Sequence, residues 1–324
     1  MKNPKPTHSL ILAAIAAAAI AVRPGHVLAG TEPSKKAVVE EAPAEKGAPL
    51  PLHNIEGNGG ILTTLSAYIV NPPRNGEAVG RPAVGTGFIS LNSGRYLIPT
   101  TVTWSPWDRV ELGYGAEWYT IGSLAGAVED ATGIELNTQN LWLHNFNARF
   151  QFIKENAFGT KWVPALTGGA HYKYNSGYTS INNQLGGALS SIGIGSDQGV
   201  DFTLYASKLL TFLPRPVLLN IGGRATRAVE TGLLGFQNDY AFLFEGNAAV
   251  FLTDWLILAT EYRMQPNGYS TIPGVVGTSG NWVTVDLAWV VNKHLTIAGG
   301  WGAFGNVANE SANGVWGITA KYEF

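Results

Sequence analysis

Few residues in this chain could transfer a proton or attack a carbonyl carbon. There is no cysteine, which removes thiolate nucleophiles, disulfide frameworks and thiolate metal sites. Of the six histidines, His8 and His26 fall in an N-terminal targeting pattern and His53 in a Pro-rich stretch, leaving His144, His171 and His294. A serine hydrolase needs Ser, His and a polar orienting group within hydrogen-bond reach. His171 alone is expected to face inward, with Lys173 beside it and Ser176 just beyond. His144 shares the apolar register of Phe146 and Phe150, and His294 falls in a short turn. No His-x-Ser pair occurs, so no catalytic residue is assigned. No two histidines share a ligand spacing and the carboxylates are dispersed, so no metal or other cofactor is expected. Gly57-Asn58-Gly59-Gly60 lacks the lysine and the strand–loop–helix setting of a phosphate loop.

What remains is a set of charges that recur in one register. Arg109, Glu111, Glu117, Arg149, Lys173, Asp201, Arg224, Glu245, Glu261, Arg263, Asp286, Lys321 and Glu323, with His171, alternate with apolar neighbours. They are the candidate lining of an interior. Such a lining is either a salt-bridged filling, since buried charges must be paired, or a permeation path. Acids and bases are interleaved along it, which argues against strong selection for one sign of charge.

The elements that must carry these charges are strands. Val110, Leu112, Tyr114, Ala116 and Trp118 alternate with Glu111, Gly113, Gly115 and Glu117. Trp142, His144, Phe146, Ala148 and Phe150 alternate with Asn145, Asn147 and Arg149, and the chain closes on Trp316, Ile318, Ala320, Tyr322 and Phe324. Period two marks strands whose faces differ. These runs are about 10 to 13 residues long, against a mode of about five or six in soluble proteins. Aromatics crowd the run ends, as with Trp118, Trp142, Trp162, Trp255, Trp282 and Trp316. Short connections near Ser105-Pro106, 154–161, Thr253-Asp254 and Asn292-Lys293 alternate with long ones near 120–140, 175–196, 228–238, 265–280 and 305–313. This is the pattern of an all-β, transmembrane, antiparallel up-and-down β-barrel of the bacterial outer membrane. A sheet satisfies every backbone amide in lipid only by closing on itself.

The count is about twelve strands: 82–92, 94–105, 107–119, 141–153, 162–174, 198–209, 216–227, 239–252, 254–264, 281–292, 294–303 and 314–324. Ile61 to Val70 is a further strand-like stretch within the segment 55–81; it is a plug, a periplasmic strand, or half of a pair that makes fourteen. Gly85, Gly87, Gly113, Gly115, Gly168, Gly169, Gly222, Gly223, Gly299 and Gly300 are expected inside strands, where bends and close approaches occur.

Composition agrees. Charged residues make up 14% of the 324, well under the roughly 25% usual in soluble domains, and there are 40 glycines. A net charge of -2 with no basic stripe gives nucleic acid nothing to bind. Lys2 and Lys5, the apolar run Leu10–Val22 and Val27-Leu28-Ala29 read as a secretory signal peptide, residues 1–29, cleaved after Ala29. Residues 30–54 are rich in Pro, Ala, Glu and Lys and read as a disordered periplasmic linker. The barrel is expected over 82–324, in the cell outer membrane of a Gram-negative bacterium.

The last strand, with Trp316, Ile318, Tyr322 and Phe324, resembles the aromatic-terminated signal that barrel-assembly machinery recognises. More specifically, LWLHNFNARF (141–150), GVDFTLYASK (199–208), FEGNAAVFLTDWLILATEYR (244–263) and NKHLTIAGGWGAFGN (292–306) resemble a proteobacterial family catalogued as Domain of Unknown Function 3034. The resemblance spans roughly 56–324. It implies an outer-membrane barrel in contact with lipid and supplies no activity or catalytic residues. The functional expectation is a narrow, weakly selective channel for small solutes, of unknown identity. The alternatives are a structural or surface-interaction barrel with a plugged lumen, and an outer-membrane lipid hydrolase.

Overall fold

The computed structural model describes residues 52–74 and 76–324. The expected signal peptide, residues 1–29, and the expected linker up to Pro51 lie outside the described residues. Twelve long antiparallel strands form a closed barrel. They are β1 Ala83–Ser90, β2 Tyr96–Trp107, β3 Val110–Thr120, β4 Asn140–Ile153, β5 Ala165–Asn175 and β6 Gln198–Leu210. Then come β7 Val217–Val229, β8 Gly235–Phe251, β9 Leu256–Arg263, β10 Trp282–Val290, β11 Leu295–Val307 and β12 Glu310–Glu323. Every strand pairs with its chain neighbour, and β12 returns to β1 from Trp316↔Ser90 to Glu323↔Ala83. No barrel strand is left with an open edge.

The alternation is inverted relative to a soluble protein. Phe202, Leu204, Val285, Leu287, Trp289 and Ile318 are exposed, while Asp201, Thr203, Thr284 and Asp286 on the same strands are buried. An exterior this apolar, around an interior that holds the charges, belongs in lipid. Trp104, Trp107, Trp162, Trp255 and Trp289 mark the short-turn end of that exterior. Trp282 departs from the expected girdle. It shares the inward parity of Thr284, is 2% exposed, and stacks on Phe304 at 4.2 Å with the Arg263 guanidinium over its ring.

All the long connections lie at one end. That between β3 and β4 carries helix α1, Leu124–Thr132, which stops at Gly133 in the left-handed conformation (φ 71°). That between β5 and β6 carries α2, Tyr178–Gln184, α3, Ala188–Ser191, and a three-residue strand, Ile194–Ser196, that pairs with the start of β8. Two connections expected to be long are short. β8 starts at Gly235, and β11 and β12 extend to meet at Ala308-Asn309.

The hairpin of β2 and β3 corrects one site residue. The sequence places a turn at Ser105-Pro106, but β2 runs through it to Trp107, an irregularity between Trp104 and Trp107 absorbing the proline that cannot donate. The turn is therefore Asp108-Arg109. Arg109 is exposed there, donating to the Phe152 carbonyl at 2.9 Å, and does not face the interior.

Candidate functional site

The interior is occupied by the chain's own N-terminal segment. Every residue from His53 to Asn71 is buried. This corrects the expected linker end, because His53 and Asn54 lie inside the barrel, His53 Nδ1 being 2.9 Å from Thr101 Oγ1. The Ile61–Val70 stretch adds no strand to the barrel. The segment's own pairing is internal, Leu52-His53 against Gly59-Gly60, with Ile55 N donating to Leu62 O at 3.0 Å. Tyr68 reaches Glu155 and Val70 reaches Ser105, both at the short-turn end, so the segment doubles back on itself.

Two glycines expected at strand bends make room for it. A Cβ on Gly115 would sit 2.6 Å from the Glu56 carbonyl oxygen, and one on Gly113 would overlap the Gly57 carbonyl. The wall thus meets the segment backbone to backbone, an approach only glycine permits.

Wall side chains then grip the segment's main chain. The Glu261 carboxylate accepts from three consecutive amides, Leu62 N at 3.1 Å, Thr63 N at 3.0 Å and Thr64 N at 2.8 Å, and from Thr64 Oγ1 at 2.5 Å. Successive amides converging on one carboxylate form an anion nest. Glu111 accepts from Gly59 N at 3.2 Å and Val70 N at 2.8 Å while pairing with Arg149 at 2.7 Å. Arg149 also donates to the carbonyls of Gly59 and Ser66. Asn147 donates to Glu56 O at 2.6 Å, and Gln151 to Ala67 O at 2.9 Å.

The segment returns one charge of its own. Glu56 is fully buried and takes Lys173 Nζ at 2.7 Å, Arg263 Nη2 at 2.8 Å and Arg224 Nη1 at 3.1 Å. Around it Lys173 and Arg224 pair with Asp201 at 3.0 and 2.9 Å, and Arg224 and Arg263 with Glu245 at 2.6 and 3.3 Å. Five predicted residues, one on each strand from β5 to β9, are therefore tied into one knot. Its centre was missed, because Glu56 lies outside any alternating run; a lone acid between Ile55 and Gly57 was the available signal.

The other candidates sit apart from the knot. Glu117 accepts from Asn145 at 2.8 Å, Asp286 accepts from Thr284 at 2.6 Å beside Glu261, and Lys321 pairs with Glu323 at 2.5 Å. His171 is buried with both ring nitrogens engaged, Nδ1 2.7 Å from Asn147 Oδ1 and Nε2 2.8 Å from Thr203 Oγ1. Neither partner is a serine, and the ring is turned away from lipid. The four C-terminal assembly candidates, Trp316, Ile318, Tyr322 and Phe324, all face outward.

At the opposite, long-loop end, Glu230 is 1% exposed and accepts on Oε1 from Ala308 N at 2.7 Å and Ser279 Oγ at 2.9 Å. Burial raises its pKa to about 7 against the pull of those donors and of Arg95.

With this geometry in view, the sequence matches the model of one family, "Protein of unknown function (DUF3034)", over residues 54–320. The chain belongs to this family. The match takes in both the inner segment and almost the whole barrel. Comparison with curated proteins finds no match. Among solved structures the chain is similar to a KdgM porin (TM-score 0.45, 10% identity, covering 75% of this chain and 99% of that one). It is also similar to the Acinetobacter baumannii outer membrane protein Omp33 (0.42, 7%, 76% and 99%). A third is the Salmonella typhi outer membrane phospholipase dimer with bound calcium (0.37, 9%, 77% and 94%). A porin and a phospholipase at such low identity do not discriminate between activities.

Proposed function

We propose that this outer-membrane barrel conducts small solutes and is held shut by its own N-terminal segment. One observation carries the reading: the segment gives no strand to the barrel, so it can leave without breaking a single interstrand backbone hydrogen bond. Twelve strands enclose more space than the eight that side chains alone can fill. With the segment withdrawn, the charged wall becomes a water-lined path. Alternation of Asp201, Arg224, Glu245 and Arg263 around it supports weak selectivity between cations and anions. The signal pattern supports export with cleavage after Ala29, and the outward aromatics of the last strand support delivery by barrel-assembly machinery.

The rival is a structural barrel whose lumen stays filled, favoured by the completeness of the Glu56 knot. Planar-bilayer recording separates the two. The intact chain should be nearly silent, and a Glu56→Gln, Glu261→Gln double variant should open to small steps with a reversal potential near zero in a salt gradient. A double variant that is folded and equally silent would favour the structural reading.

A further inference from the structure

The long-loop end holds a second feature that the lumen does not use. Between the loops lies a cavity of about 70 Å³. Its wall is drawn from separate pieces of chain: Val128 of α1, Leu185 and Leu189 around α3, Leu234 before β8, and Val276 between β9 and β10. These side chains are far apart in sequence and meet only here. The wall is aliphatic but for Tyr119 and Glu230.

Glu230 is the anomaly. A carboxyl group in an aliphatic wall is costly unless its oxygens find donors. Oε1 has two, and among the described residues Oε2 has none. The backbone that puts it there is itself strained, with φ of 51° at Glu230 and 65° at Thr231, neither a glycine. Such strain persists only where the surroundings enforce it. An aliphatic residue at 230 would line the same wall without that unpaired oxygen, but it would also remove the acceptor of Ala308 N and Ser279 Oγ.

We propose that this cavity is a binding site for a short-chain neutral alcohol, its alkyl body against Val128, Leu185, Leu234 and Val276 and its hydroxyl donated to Glu230 Oε2. Size sets the chain length. A dry apolar cavity of about 150 Å³ takes benzene, so this one takes about three or four non-hydrogen atoms. One acceptor oxygen matches one hydroxyl, and a charged amine would have to leave its hydration behind in an otherwise apolar wall. Binding here does not depend on whether the lumen conducts.

The test uses the full chain in lipid nanodiscs with methyl labels on Val and Leu, titrated with 1-propanol and, separately, with xenon. Wild type should give saturable shifts confined to the lining methyls with both probes. Glu230→Leu should weaken 1-propanol at least tenfold and leave xenon binding in place. Val128→Phe, which fills the cavity, should lose both while keeping the heat-modifiable gel mobility of a folded barrel. The proposal is overturned if wild type shows only shifts spread over lipid-facing methyls, if glycerol binds as well as 1-propanol, or if Glu230→Leu binds 1-propanol as wild type does. A cavity filled by water alone would give the first of these results.

Discussion

Replacing Glu56 by Gln isolates the one charge that the inner segment contributes. Gln keeps the volume and one acceptor oxygen but removes the counter-charge shared by three cations at 2.7, 2.8 and 3.1 Å. Those cations are not stranded, because Lys173 and Arg224 keep Asp201 and Arg263 keeps Glu245. Breaking a buried pair from one side costs about 3–5 kcal/mol, and the retained partners place this case near the lower figure. At about 1.4 kcal/mol per tenfold, a loss of about 3 kcal/mol raises the released fraction of the segment roughly 100-fold. Thr63→Cys is a suitable reporter, since Thr63 is 1% exposed and its hydroxyl makes no hydrogen bond among the described residues. With rapid opening and closing, the rate of maleimide labelling follows the released population. Labelling of the thiol introduced by Thr63→Cys should therefore accelerate by about two orders of magnitude in the Glu56→Gln background, with the barrel still heat-modifiable. If the rate stays within about threefold of the parent, the knot does not hold the segment and the gating argument fails.

Three further outcomes follow from the same geometry. Gly115→Val should expel the segment more completely than Glu56→Gln, because its Cβ would stand 2.6 Å from a backbone carbonyl that cannot rotate away; slow labelling of the Thr63→Cys reporter in this background would show that the wall yields instead. Glu230, with a folded pKa of about 7 against an ordinary 4.5, binds its proton more tightly in the folded state, so its stabilisation is present below about pH 4.5 and is lost as pH rises through 7. The unfolding free energy read from urea titration should thus fall between pH 5 and pH 8, by an upper limit of roughly 3 kcal/mol, and Glu230→Gln should flatten that trend; an unchanged slope in the variant would remove Glu230 as the cause. Glu129→Cys, at an exposed position of α1, should label with an impermeant maleimide on intact cells and Asp254→Cys should not, the reverse pattern meaning that the long loops face the periplasm.

The barrel was legible in the sequence because a membrane strand writes its two environments in period two. One face must be apolar for lipid and the other can carry charge, so Phe146 beside Asn147 and Leu287 beside Asp286 declare their sides without any tertiary information. Boundaries were weaker where local chemistry outvoted the pattern. Ser105-Pro106 carries a turn signature, yet it continues a strand through an irregularity, and that shift alone moved Arg109 from the interior to a turn. Residue type groups Trp282 with the girdle, although its parity already matches Thr284. Alternation says which way a side chain points; it is silent on what it meets across the lumen. Closure decided that, by bringing Glu56 to Arg224 and Arg263, far along the chain, and by laying the segment's backbone on Gly113 and Gly115. The same holds at the long-loop end, where Glu230 and the aliphatic wall around it come from loops without periodicity. Direction is a local property fixed by each strand's solvent, whereas contact across an enclosed volume exists only once the sheet has closed around it.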